Sequence, residues 1–228
     1  MKKIIALVAT IFFAVIAVSA QPALMMGVRG IYQSSGASIE KQLWDLWYDS
    51  TQDTFPSNQY SHDVNTTSSD MNGGGFALFA KIPLGKRFGA QIEFGYTYNS
   101  VGLEFSVEEY KTGTTYSTKE KTTFHTLNMP LMLTFDIVQT KNFILTPMVG
   151  LYIAKPVGEA GGWLEATINN TALFGAVFGG SMTLRFGSVG LVVDGRYNLG
   201  FNSLIVDNTK LFTPRALQIS GGLAFMLN

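Results

Sequence analysis

The stretch VGLVVDGRYNLGF, residues 189–201, is mostly apolar and yet carries Asp194 and Arg196 near its centre. Successive side chains of a β-strand project to opposite sides of the sheet, so a period of two sorts them into two faces. Here one face collects valine, leucine, tyrosine and phenylalanine, and the other collects Asp194, Arg196 and Asn198. The alternation predicts a strand with one apolar and one polar face, and the fold depends on what each face contacts.

The same alternation recurs along the chain and predicts seven further strands. They cover residues 24–33, 76–82, 88–99, 126–135, 143–154, 172–186 and 217–227. In the second strand, the apolar face is predicted to hold Phe76, Leu78, Ala80 and Ile82. Pro147 in the fifth strand predicts a bulge or a locally broken ladder, because proline has no backbone N–H to donate.

The connections between these strands alternate between long and short. Long connections are residues 34–72, 108–121, 155–170 and 202–214, and short ones are residues 83–87, 136–142 and 187–188. Outer-membrane barrels have this form, with short periplasmic turns and long extracellular loops, and an even strand number returns both termini to the periplasm. The sequence therefore predicts an all-β fold: an eight-stranded antiparallel up-and-down transmembrane β-barrel.

The composition of the two faces indicates which one contacts lipid. In a soluble lipocalin-type barrel the apolar face points inward, whereas in a membrane barrel it points outward. A water-exposed surface carries roughly 25–35 % charged residues, but the polar faces here are mostly Gly, Ser, Thr, Gln and Asn. Tyr32, Tyr98 and Tyr197 lie near strand ends, as in the aromatic girdles of membrane barrels. We therefore expect the apolar faces to contact lipid.

Six charged residues are at the alternate strand positions that are predicted to face the interior. They are Arg29, Lys81, Glu93, Arg185, Asp194 and Arg196. An arginine facing lipid at the bilayer midplane costs about 2–4 kcal/mol, whereas inside the barrel Arg196 has Glu93 or Asp194 as a partner. An eight-stranded barrel has room only for its own side chains. We therefore interpret these residues as a charge network that plugs the lumen; a conduction path is the alternative interpretation.

The first residues predict export. Lys2 and Lys3 precede an apolar segment from Ile4 to Val18, and small residues before position 21 form a cleavage site. The sequence therefore predicts a signal peptide at residues 1–20, cleaved after Ala20, and an outer-membrane β-barrel domain at residues 21–228. A transmembrane helix is the alternative, but it needs ~20 apolar residues and this segment is shorter.

Composition excludes several other classes of function. The chain has no cysteine, which excludes disulfides, thiol chemistry and zinc–thiolate sites. Its 16 basic and 16 acidic residues balance, and no basic run indicates nucleic-acid binding. No His or Asp/Glu cluster has metal-ligand spacing, so we expect neither a metal nor a cofactor.

Three patches of the sequence resemble one family. TLNMPLMLTF, TPMVGLYIAKPV and VDGRYNLGFNSL occur in this order, and they are similar to the PorT-like outer-membrane β-barrel proteins known mainly from Bacteroidetes-type bacteria. The matching elements are Asn128–Leu131, Gly150–Tyr152 and Arg196–Gly200. The resemblance implies an outer-membrane location without a single activity, since members include a secretion-apparatus component.

The two histidines, His62 and His125, give little support for catalysis. Some eight-stranded outer-membrane barrels modify lipid A with a His–Ser–acid arrangement, and His125 has the parity of the lipid-facing residues. Nearby Thr123, Thr126 and Glu120 form no recognisable triad with it. We therefore expect an interfacial histidine and a protein that is not an enzyme.

The first long connection contains ASIEKQLWDLWYDS, with Trp44, Trp47 and Tyr48. Ile39, Leu43 and Trp47 recur at helical spacing after the candidate cap Ser38. The favoured interpretation is a short helix on the barrel rim or the lipid headgroups, and the alternative is an exposed aromatic surface-interaction loop.

The sequence thus predicts a non-enzymatic outer-membrane protein with a structural or surface-interaction role through its extracellular loops. The alternatives are a small-solute pore or secretion-complex subunit and, less favoured, a lipid A-modifying enzyme. Expected partners are outer-membrane lipid and lipopolysaccharide, with envelope proteins as further candidates. We expect a monomer that does not bind nucleic acid.

Overall fold

The computed structural model describes residues 24–39, 59, 67–162, 172–206 and 209–227. The strands are β1 Leu24–Ile39, β2 Thr67–Pro83, β3 Phe88–Glu108, β4 Thr115–Phe135, β5 Val138–Gln139, β6 Phe143–Gly162, β7 Leu173–Phe186, β8 Val189–Gly200, β9 Leu204–Val206 and β10 Thr209–Leu227. The predicted signal peptide and the residues Trp44, Trp47 and Tyr48 lie outside the described residues. Within the described part of the chain, no helix is long and apolar enough to cross a membrane.

Eight long strands form a closed antiparallel barrel. They pair in the order β1-β2-β3-β4-β6-β7-β8-β10, and β10 pairs with β1 from the Leu24–Leu227 pair to the Ile39–Phe212 pair. The two short strands add to its rims, because β5 pairs with β6 and β9 pairs with β10. The predicted eight-stranded up-and-down barrel is confirmed.

The period of two is the main determinant of burial. In β8, Val189, Leu191 and Val193 are exposed on the outside, and Asp194 and Arg196 are buried inside. The other long strands show the same division, with exposed Phe, Leu, Ile, Val and Tyr side chains around the outer wall. The predicted assignment of the faces therefore holds for nearly every strand.

The outward face of β2 is not exposed at its last positions. Ala80 and Ile82 are buried, although Phe76 and Leu78 are exposed. The register places Ala80 between Met26 of β1 and Ile92 of β3. Neighbouring residues on one face of a sheet lie within contact distance, so these larger side chains cover the alanine.

Six of the eight long strands extend beyond their predicted ends, and nearly all of the extra length is on the side of the long connections. Ser38 and Ile39 belong to β1 and pair with Thr213 and Phe212 of β10. The prediction of a helix that begins at Ser38 is therefore wrong at its start. The polar sequence gave no alternation there, but the paired strand satisfies the backbone groups of β1 and keeps it extended.

The short connections agree with the sequence in detail. Gly187 and Ser188 form the turn between β7 and β8, and Gly187 has a φ of 72°, which glycine adopts without strain. Pro147 causes no bulge, because it pairs with Gly180 of β7 without a register shift. The ladder between β4 and β6 instead ends at Thr134 and Met148, next to the proline. Of the two predicted outcomes, the broken ladder is confirmed.

Candidate functional site

Four charged side chains from three strands meet in the middle of the lumen. Arg29 comes from β1, Glu93 from β3, and Asp194 and Arg196 from β8. Arg29 donates one hydrogen bond to Glu93 and one to Asp194. Arg196 donates from Nη1 to Glu93 Oε2 at 2.8 Å and from Nη2 to Asp194 Oδ2 at 3.1 Å. Each arginine thus contacts both carboxylates, and we call this closed ring the ion quartet.

The ion quartet is almost completely buried. Its four residues are 2–4 % exposed, and their formal charges sum to zero. Gln91 donates from Nε2 to Glu93 Oε1 at 2.7 Å, and the Arg29 guanidinium lies 4.5 Å from the centre of the Phe79 ring. Because an unpaired buried ion costs several kcal/mol, the neutral ring is stable only while every member keeps its partners.

A glycine allows the strands to approach each other beside the ion quartet. Gly222 of β10 pairs with Arg29 of β1, and a Cβ atom at Gly222 would lie 2.6 Å from Arg29 Cα. The neighbouring Gly221 faces outward and has open space at the same position. The small residues of the polar faces therefore provide room for the two guanidinium groups.

Lys81 and Arg185 point inward but do not join the ion quartet. Lys81 Nζ lies 2.5 Å from Asp136 Oδ1, and Thr146 also donates to that oxygen at 2.7 Å. Arg185 Nε lies 3.3 Å from Met226 Sδ. Asp136 is a residue of this network that sequence reasoning missed, since it follows β4 in a short connection where the period of two no longer applies.

The interior of the barrel is filled in layers. On the external side of the ion quartet, Thr97 and Thr126 share a hydrogen bond of 2.6 Å, and Asn128 donates to Thr97 at 2.9 Å. This layer borders a cavity of about 70 Å³. On the periplasmic side, Phe79 and Val192 belong to an apolar cluster. Below that cluster, a second cavity of about 340 Å³ opens near the periplasmic turns.

His125 lies on the outer wall among aromatic residues. Its Nδ1 is 2.5 Å from the hydroxyl oxygen of Tyr96, and its ring stacks on Tyr96 and packs against Tyr98. Thr126 faces the opposite way, into the lumen, and the side chain of Glu120 lies outside the described residues. Within the described residues, no group of three His, Cys, Asp or Glu side chains could hold a metal ion.

The family to which the protein belongs is established by a match over most of its sequence. The model of the outer membrane protein beta-barrel domain family matches residues 50–206, which is more than half of the chain. The protein therefore belongs to this family, and it is located in the bacterial outer membrane. The search of curated protein sequences gave no match.

Three solved structures are similar to this chain at low sequence identity, and the first of them shows the same fold with a TM-score above 0.5. The outer membrane protein OprG from Pseudomonas aeruginosa is 7 % identical with a TM-score of 0.53, covering 90 % of this chain and 96 % of its own. Ail, the attachment invasion locus protein of Yersinia pestis, was solved with the heparin analogue sucrose octasulfate. It is 13 % identical with a TM-score of 0.44, covering 91 % of this chain and 100 % of its own. Neisserial surface protein A is 12 % identical with a TM-score of 0.43, covering 90 % and 99 %.

Proposed function

We propose that the protein is a non-enzymatic outer-membrane barrel with a closed lumen, which acts through the structure that it presents outside the cell. The observation that carries this proposal is the ion quartet. Its salt bridges cross the lumen between β1, β3 and β8, and its residues are 2–4 % exposed. With the apolar cluster beneath it, this ring is expected to close the lumen to solutes.

The lengths of the strands support a role on the external side. A strand of about 9–11 residues spans the hydrocarbon, but β3 and β4 have 21 residues each. Because the periplasmic turns are short, the surplus forms a hairpin outside the membrane. Tyr110 and Tyr116 are exposed at its tip, and the Tyr110 N–H donates to Gln59 O of the first long connection at 2.9 Å. This tip is the surface that we assign to interaction.

The surroundings of His125 support a role without catalysis. Catalysis by a histidine needs a nucleophile and an orienting acid within hydrogen-bond reach. His125 shares a hydrogen bond with the Tyr96 hydroxyl and packs against the rings of Tyr96 and Tyr98, and the hydroxyl of Thr126 is turned into the lumen. We therefore assign His125 to the aromatic belt of the outer wall. This assignment favours the proposed barrel over a lipid A-modifying enzyme.

Within the family, we propose the PorT-like assignment. The first two patches that carry the resemblance are neighbours in the sheet, because Pro130 pairs with Tyr152 and Leu131 pairs with Leu151. The third patch pairs with β7, the strand on the other side of β6, from Gly175–Gly200 to Gly179–Arg196. The first two patches are thus adjacent in the wall, and β7 separates them from the third. A secretion-complex subunit is the second candidate function, and it rests on this assignment.

A closed lumen predicts that the protein does not conduct ions. The purified protein in planar lipid bilayers is expected to show no steady channel openings, because the ion quartet and the apolar cluster block the path. The measurement includes Arg196→Gln in the ion quartet and, as a matched control, Arg215→Gln, which replaces an exposed arginine on the external half of β10. Steady openings whose ion selectivity changes in Arg196→Gln but not in Arg215→Gln would establish a pore instead.

An external role predicts contacts at one end of the barrel only. A photo-reactive amino acid in place of Tyr110 at the hairpin tip is expected to form adducts in intact cells, with lipopolysaccharide or with envelope proteins. The matched site is Leu84 in a periplasmic turn, since Tyr110 is 58 % exposed and Leu84 is 59 % exposed. Adducts are resolved by gel electrophoresis and mass spectrometry. Adducts at Leu84 with none at Tyr110 would contradict the proposed role and favour a periplasmic partner.

A further inference from the structure

The periplasmic mouth of the barrel contains a basic cavity that the proposed function does not use. Its volume is about 340 Å³, and its charged lining consists of Lys81, Lys86, Arg185 and Asp136. Three cations and one carboxylate give a formal charge of +2. This differs from the middle of the lumen, where the charges of the ion quartet cancel.

Arg185 is the exception among the inward-facing charges. Arg29, Lys81, Glu93, Asp194 and Arg196 each have an ion pair. Arg185 is half-buried, and its partner among the described residues is the thioether sulfur of Met226 at 3.3 Å. A thioether is a weak acceptor for a guanidinium with five N–H donors. Most donors of Arg185 are therefore free to bind an anion.

The charges around the mouth strengthen the attraction for an anion. Arg87 and Lys141 are exposed in the two turns that flank β3 and β6. Among the described residues of these turns, Asp136 is the one carboxylate, and Lys81 already pairs with it. A cleft lined by one sign of charge concentrates ligands of the opposite sign. This end of the barrel thus attracts anions from the periplasm.

The floor of the cavity is apolar. Met25, Ile144 and Met226 are buried there, and the exposed ring of Phe88 forms part of the rim. Small-molecule sites combine such apolar walls with a few polar groups that fix the ligand, in volumes of roughly 300–1,000 Å³. The cavity is therefore suited to a ligand that has an anionic head and a short apolar part.

We infer that this cavity binds a phosphate monoester that carries an apolar group. Such a phosphate has a charge of about −1.5 to −2 at pH 7, which matches the +2 of the lining. The planar guanidinium of Arg185 binds two phosphate oxygens in parallel, and Lys86 approaches from the turn. The apolar group then contacts Met25 and Met226. A soluble periplasmic phosphate ester and a phosphomonoester lipid of the inner leaflet share this chemistry.

Methionine methyl NMR of the full chain in detergent micelles tests the inference. Met25 and Met226 report on the cavity, and Met132 and Met148, in a separate buried cluster, are controls in the same spectrum. We expect n-butyl phosphate to shift the signals of Met25 and Met226 saturably, with inorganic phosphate binding more weakly and n-butanol causing no shift. Arg185→Gln is expected to weaken binding at least about tenfold, since it removes a charged hydrogen-bond donor.

Two further variants keep the test decisive. Lys86→Gln changes an exposed turn residue that does not support the fold, and it is expected to weaken binding less than Arg185→Gln. Arg215→Gln removes a guanidinium from the opposite end of the barrel and is expected to leave binding unchanged. No saturable shift of Met226, or a shift that is equal in Arg185→Gln and wild type, would overturn the inference.

The source of the phosphate is distinguished in lipid nanodiscs. A Met226 shift in nanodiscs of phosphatidylcholine with phosphatidic acid, before any butyl phosphate is added, identifies a lipid headgroup as the ligand. A shift that requires added butyl phosphate identifies a soluble ester. Both results support the site. Failure of the inferred phosphate binding can be distinguished from failure of the proposed function, because the conductance and cross-linking measurements do not depend on this cavity.

Discussion

Replacing Glu93 with glutamine is expected to lower the free energy of unfolding by about 3–5 kcal/mol, because it leaves buried arginines without a full set of partners. Glu93 accepts hydrogen bonds from Arg29, Arg196 and Gln91. The variant would leave two guanidinium groups against the single carboxylate of Asp194. Both guanidinium groups belong to residues that are only 2–3 % exposed, so water replaces the lost partner poorly.

Urea unfolding in lipid vesicles measures this loss, and Ser220→Ala is the matched control. Ser220 is also buried in the lumen, but its hydroxyl has no hydrogen-bond partner among the described residues, so its removal breaks no hydrogen bond and is expected not to lower the free energy of unfolding. In the double variant Glu93→Gln with Arg196→Gln, the loss is expected to be smaller than the sum of the single losses. Additive losses, or a Glu93→Gln variant as stable as wild type, would show that the ion quartet does not act as a unit.

The sequence predicted the barrel because the bilayer and the lumen impose opposite requirements on alternate residues. The parity of Asp194 and Arg196 in β8 was enough to place both inside. Whether a residue is at an odd or an even position does not indicate its height along the barrel axis, however. Nor does it indicate how far the side chain reaches across the lumen. It therefore could not distinguish Glu93, which reaches the ion quartet, from Lys81, which lies closer to the periplasm and pairs with Asp136.

The ends of the strands could not be predicted for a related reason. Outside the membrane, neither face of a strand contacts lipid, so the regular alternation of apolar and polar residues weakens in the sequence. The sequence predicts a connection at residues 108–121 and no strand at residues 100–107 or 122–125. In the structure, β3 and β4 continue through this region as a hairpin in which Glu104 pairs with Lys119 and Val107 pairs with Tyr116. Backbone hydrogen bonds to the neighbouring strand, which any residue except proline can donate, maintain this part of the structure.

The periplasmic cavity could not be predicted from the sequence either. Its lining combines residues from the ends of β2, β7 and β10 with residues from two turns. Arg185 had the parity of an inward residue, but nothing in the sequence indicated that its neighbour would be the sulfur of Met226, a residue in another strand. The register of the closed sheet determines that contact.

Replacing Val149 with arginine is expected to lower the free energy of unfolding in a lipid bilayer by about 2–4 kcal/mol. Val149 is on the outer face of β6, where it is 58 % exposed and pairs with Leu133 of β4 and Phe178 of β7. Both neighbours are exposed on the same face, so the arginine would lie in an apolar band. Its guanidinium would lose its hydration without gaining a partner.

The control is Leu84→Arg, which introduces the same charge in a periplasmic turn. Leu84 is 59 % exposed, so the two positions differ in depth rather than in exposure, and the cost near the interface is about 0–1 kcal/mol. Urea unfolding in vesicles compares the two variants with wild type. If the outer wall faced water, arginine would be tolerated equally at both positions, because a charged side chain is stable on a hydrated surface. A large loss at Val149 with little loss at Leu84 therefore requires that hydrocarbon surrounds the barrel and that its charges are enclosed.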